Sequence, residues 1–147
     1  MGIKNFSVNM KFFVSLMLCL LGVNYLLLLI QIWLDTGMTV DGILRAYRSF
    51  EPGELVEHSA KYLFWFLWTF GVSGFLFFNT SYFEKIKRVF AILVPLTIAS
   101  DIASMWLIRY FDWFAWQLFG SGFVLAASFL GMFCLIQYEL WKPMRNL

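Results

Sequence analysis

The sequence predicts an all-α integral membrane protein, a four-helix bundle with both termini cytoplasmic and a short amphipathic helix in the first outer loop. Three observations lead there. Of the 147 residues, 61% are hydrophobic, 21% aromatic and only 14% charged, a composition far from that of soluble domains. Four runs reach the roughly 20 mostly apolar residues that a spanning helix needs. Lysine and arginine are spread unequally over the two sets of connections. Backbone polar groups in lipid must be satisfied within their own segment, so helix is the state these runs adopt. One domain, residues 1–147, accommodates them all.

The first predicted span, residues 12–34 (FFVSLMLCLLGVNYLLLLIQIWL), carries no charge and follows Lys4 and Lys11. It is too long for a cleaved leader and no polar mature region follows a small-x-small site, so it reads as a retained anchor. Cys19, in the middle of this run, and Cys134, near the end of the last, read as small buried apolar residues without a CxxC pair.

Residues 35–61 form the one sizeable connection. Thr39 and Asp41 offer caps for a short helix whose Ile43, Leu44, Tyr47 and Phe50 share a face. That pattern predicts an amphipathic helix lying on the membrane surface. Pro52 and Glu54 suit the first turn of a second helix, which runs through His58 into a span over residues 62–83. The third span, residues 89–108, holds a single charge, Asp101, with Pro95 as a source of a kink. The fourth, residues 113–138, has small-xxx-small pairs at Gly122/Ala126 and Ala127/Gly131 that favour close helix approach.

Lys4, Lys11, Lys85, Lys87, Arg88, Lys142 and Arg145 fall on one side and Arg45, Arg48, Lys61 and Arg109 on the other, seven against four. The positive-inside rule then places both termini in the cytoplasm. Asp35, Asp41, Glu51, Glu54, Glu57 and Asp112 give the outer side an acidic character. A net charge of +2, scattered in short groups, excludes a nucleic-acid partner.

Asp101 is the leading candidate for function, because an ionisable group within a span is costly and faces a partner or a water-filled cavity. Helical spacing places Thr97, Ser104 and Arg109 on the same stripe. One reading makes Asp101 a packing contact with Arg109, Arg45 or a tyrosine; the other gives it a part in binding or proton movement. Glu54, Glu57, His58 and Lys61 share a face at the start of the second span, where an ion-paired collar competes with a metal site; a carboxylate-bridged metal pair needs far more ligands than these. Trp65, Trp68 and Trp106 read as an interfacial belt or as the wall of a pocket for a lipid, quinone or porphyrin.

No nucleophile, base and orienter grouping is present, so no catalytic residue is assigned, and no metal. No cofactor is assigned either. A single histidine excludes bis-histidine haem within the chain, leaving on paper only His58 with a methionine such as Met38 or Met105, and a quinone in the aromatic half.

The stretch SDIASMWLIRYFDWFAWQLFGSGFVLAASF resembles the last two helices of a family of small, uncharacterised bacterial four-helix inner-membrane proteins. Asp101, Ser104, Trp106, Leu107, Arg109 and Tyr110 carry the likeness. Such proteins show a tryptophan pair and two histidines one residue apart, where this chain has Met105 and Ala60. The resemblance implies a bacterial inner (cytoplasmic) membrane location and supplies no activity.

Two functional expectations follow. The first is a non-catalytic multi-pass protein, an accessory or assembly subunit whose outer half binds lipid, a membrane-protein partner or a second copy. The alternative is a redox or transport component with a polar site at Asp101, Arg109 and His58.

Overall fold

The computed structural model describes residues 2–142, so Arg145, counted above among the basic residues, lies outside the described residues. A short 3-10 helix, Ile3–Asn5, precedes α1 (Val8–Thr36), α2 (Val40–Ser49), α3 (Pro52–Phe78), α4 (Glu84–Leu107) and α5 (Trp113–Trp141). The described residues contain no strand. α1, α3, α4 and α5 are each long and apolar enough to cross a membrane. They run alternately up and down, so one end of the bundle holds α2 and the α4–α5 turn, and the other holds the 3-10 helix and the α3–α4 turn.

α1, α2 and α3 begin where a side chain satisfies free amides of the first turn. The Ser7 hydroxyl accepts from the Met10 amide and starts α1 earlier than residue 12. Thr39 caps α2 by accepting from the Gly42 amide, in agreement with the sequence reading. Glu51 and Glu54 form a reciprocal capping box around Pro52 and begin α3, which continues through His58 into its apolar run.

The end of the second span requires a correction. α3 stops at Phe78, not residue 83, because Asn79 and Thr80 turn their side chains back onto the Phe75 and Phe77 carbonyls. Ser81 is then drawn away to Glu139 on α5, at 2.5 Å from its hydroxyl and 3.2 Å from its amide. A hydropathy window averages over these polar residues and misses the turn they make.

Between α1 and α2 the chain reverses within three residues. Gly37 and Met38 both take left-handed backbone angles, φ 60° and 50°. Gly42 then sits directly on the end of α1, where a Cβ would lie 1.7 Å from the Thr36 carbonyl oxygen. This contact brings Ile43 and Tyr47 of α2 into the bundle, each 5% exposed.

In lipid the apolar effect gives helices little reason to associate, so packing and interhelical hydrogen bonds hold them. Serines supply most of those bonds here. Trp106 Nε1 donates to Ser59 Oγ at 3.0 Å, joining α4 to α3. Gln117 donates to Ser100 Oγ at 2.8 Å, joining α5 to α4. Ser15 Oγ donates to Gln137 at 2.9 Å and accepts from Trp141 Nε1 at 3.0 Å, clasping α1 to α5. Such bonds contribute on the order of 0.6 to 2 kcal/mol each in a bilayer. Lys61 reaches Gln31 across α3 and α1 at 3.0 Å.

Two further expectations are corrected. Cys19 and Cys134 are exposed on the outside of the bundle rather than buried, since each lies on the face of its helix opposite the core positions. Gly122 does not seat another helix; a Cβ there meets nothing within 4 Å. The missing side chain leaves open space instead, and Gly131 alone of that set of glycines faces a neighbour closely, Phe90 at 3.5 Å.

Candidate functional site

That open space is part of a cavity of about 300 Å³ lined by residues of all five helices. Asp101 lies on its α4 wall, beside Met105. Tyr25 and Thr36 come from α1, Tyr47 from α2, Tyr62 and Phe66 from α3, and Phe119, Gly122 and Ala126 from α5. The size sits at the lower end of small-molecule pockets, and the make-up, apolar with a few convergent polar groups, is the usual one for a binding site.

Asp101 is 4% exposed and accepts a hydrogen bond from the Ser121 hydroxyl of α5. The same hydroxyl oxygen lies 2.9 Å from the Leu118 carbonyl of its own helix, an alternative acceptor for its one proton. Tyr25, Tyr47 and Tyr62 are 5%, 5% and 2% exposed, yet no buried side-chain oxygen among the described residues is both sealed from solvent and without a partner. Their hydroxyls make no hydrogen bond to another described residue, and all three residues line the cavity. Burial first, then the neighbouring Tyr62, Asp101 and Asp35, pushes the Tyr47 hydroxyl well above its ordinary 10.0.

The predicted polar stripe does not converge. Arg109 turns away from Asp101 and donates to the Phe50 carbonyl at 2.5 Å, fastening the end of α2. α4 ends at Leu107, so the helical projection that placed Arg109 over Asp101 runs past the end of the helix. Ser104 is 1% exposed but spends its hydroxyl on the Ser100 carbonyl, and Thr97 does the same with Leu93 on the outer side. Neither lines the cavity. Thr97 instead borders a shallow furrow with Ser100, Gln117 and Ser121.

His58 lies between the tilted rings of Phe50 and Tyr62, at centroid separations of 4.6 and 5.6 Å. Met38 and Met105 are in the cavity wall and His58 is not. Glu54 is occupied by the capping box, and among the described residues no three His, Cys, Asp or Glu side chains gather as metal ligands would. Trp65 packs on Phe64 at 5.4 Å, Trp68 is 55% exposed, and Trp106 is held by Ser59. None of the three lines the Asp101 cavity. Pro95 opens space elsewhere: with Gly71, Gly74, Ala91 and Ala99 it borders a furrow of about 380 Å³ between α3 and α4.

α2 closes the cavity at one end and is pinned at both of its own ends. Gly42 sits on the Thr36 carbonyl. At the other end, Arg48 pairs with Asp112 and Arg109 holds Phe50. The sequence points to a tyrosine beside Asp101 without saying which, and places Tyr47 only on the apolar face of α2; Ser121, Tyr25 and Tyr62 are additions from the structure, although a phenol within an apolar run carries a polar atom that must find a place.

Four apolar helices tied by serine-centred hydrogen bonds around a carboxylate-bearing cavity define a multi-pass transmembrane helical protein. The chain belongs to the Aq_1264_TM family, a transmembrane helical domain, whose match covers residues 37–147. That match takes in α2 to α5 and begins just beyond α1, which here contributes Tyr25 and Thr36 to the cavity. No curated protein matches the chain, and no solved structure does.

Proposed function

We propose that this protein is a non-catalytic accessory subunit of the bacterial cytoplasmic membrane that binds a lipid-phase ligand in the half of the bundle bearing α2. Both termini then face the cytoplasm, and α2 lies on the outer side, as the distribution of lysine and arginine favours. The observation that supports a binding role is the cavity itself. It gathers Asp101 and three tyrosines beneath a pinned helix, and among the described residues its lining holds no serine, cysteine or histidine. The ligand's exposed end, or the acidic surface around it, is the surface a membrane-protein partner or second copy would meet.

A second reading, a redox or transport component, is favoured by one feature: a buried carboxylate within a span, facing a cavity, is the kind of group that carries protons or ions. One preparation in mild detergent tests both. Extraction of a stoichiometric lipid or other amphiphile, with a colourless oxidised and dithionite-reduced visible spectrum, is the expected result. A Soret band or a stoichiometric quinone would replace the accessory reading with the redox one.

A further inference from the structure

This inference rests on the ligand-binding reading above and concerns the chemistry of the ligand. Asp101 has no cationic partner among the described residues: the ion pairs are Arg48 with Asp112 and Lys87 with Glu84. Arg109, the basic residue nearest in sequence, is committed to the Phe50 carbonyl. A carboxylate at membrane depth is costly without a counter-charge.

The surrounding walls are suited to supplying one from outside. The rings of Tyr25, Tyr47, Tyr62, Phe66 and Phe119 border the cavity, and aromatic faces attract cations, most strongly where water is excluded. The same end of the bundle carries six acidic residues, Asp35, Asp41, Glu51, Glu54, Glu57 and Asp112, against four basic ones, Arg45, Arg48, Lys61 and Arg109. A cation approaching this end is therefore drawn toward it.

Entry has a route as well. Between α1 and α5 the wall consists of Leu29, Ile32, Phe119 and Phe123, none of them buried, and Gly122 has no side chain to close it. An alkyl chain leaving through this side would lie in the lipid.

We propose that the cavity binds the ammonium group of a lipophilic amine, with Asp101 as counter-ion, the aromatic rings around the cation and the alkyl chain passing between α1 and α5.

The test uses the full chain in maltoside detergent with two probes of equal chain length, dodecyltrimethylammonium and dodecanol. Binding is read by native mass spectrometry and by the shift in melting temperature, with empty micelles as control. The wild-type protein is expected to bind the ammonium probe at least about tenfold more tightly than the alcohol. Asp101→Asn should abolish that preference and leave the alcohol bound as before, while Gly122→Leu should weaken both by filling the mouth. Equal affinity for the two probes in the wild type, or an unchanged preference in Asp101→Asn, overturns the ammonium assignment and leaves the ligand-binding reading standing. No binding of either probe, with Gly122→Leu retaining the same co-purified lipids as wild type, overturns both. Should Asp101→Asn fail to assemble, the wild-type preference and the Gly122→Leu result decide on their own.

Discussion

Replacing Gly42 by alanine should undock α2. The new Cβ would lie 1.7 Å from the Thr36 carbonyl oxygen, 2.7 Å from its carbon and 2.9 Å from the Thr39 hydroxyl. Since Cβ atoms do not approach other atoms within 3.0 Å, the helix must retreat by at least about 1.3 Å, and the obstacle is backbone, which yields little. Ile43 and Tyr47 leave their buried positions as it does so. Each large apolar side chain contributes on the order of 1.5 to 3 kcal/mol by burial, so complete undocking forfeits roughly 3 to 6 kcal/mol and a partial retreat about half of that. Hydrogen exchange of the α2 amides in detergent measures the change directly: protection should fall in Gly42→Ala while α4 and α5 keep theirs. Gly71→Ala is the control, because a Cβ there meets nothing within 4 Å; it should be neutral or stabilising by up to about 1 kcal/mol. Unchanged α2 protection in Gly42→Ala would refute the close-contact reasoning.

Other outcomes follow from the same region and from the opposite end. Arg109→Ala should destabilise the docked α2 by about 1.5 to 3 kcal/mol, as the loss of a charged hydrogen bond, whereas Asp112→Asn, at an exposed pair, should cost less than about 1 kcal/mol; equal effects in exchange protection would contradict the assignment. Met38→Gly should relieve the left-handed backbone and raise the stability of the α1–α2 turn by about 1 kcal/mol, read in the same experiment. Because burial raises the Tyr47 hydroxyl above 10.0, the docked state favours the neutral phenol: the stabilisation is complete below pH 10.0 and is lost as pH rises beyond it. Melting temperature should therefore fall above pH 10.0, and less so in Tyr47→Phe. Burial, and after it Glu139, raises the Tyr82 hydroxyl, so Glu139→Gln should lower its titration midpoint in a spectrophotometric titration.

The spans were legible because apolar runs of this length with at most one charge have one solution in lipid. α2 was legible too, down to its Thr39 cap. Its docking was not, since Gly42 looks like any helix glycine until the Thr36 carbonyl is placed beside it. Asp101 stood out as the one charge in its span, but Ser121 could not be chosen from the many serines, because spacing along one helix says nothing about the facing residue on another. Arg109 misled for a local reason: its projection onto the Asp101 face assumed a helix that ends at Leu107. Glu139 is 3% exposed and holds the α3–α4 turn through Ser81, a role that nothing in its own neighbourhood of the sequence signals.

The clasp of Ser15 with Gln137 and Trp141 fastens α1 at one end of the bundle. Lys61 on Gln31 and Gly42 on the Thr36 carbonyl fasten it at the other. Ser15 and Thr36 stand 21 residues apart, about 32 Å of helix. The stretch that borders the cavity, from Tyr25 to Ile32, lies between the two fastenings like a beam held at both ends. Widening the gap beside it therefore requires that the beam bend or that one of its supports let go.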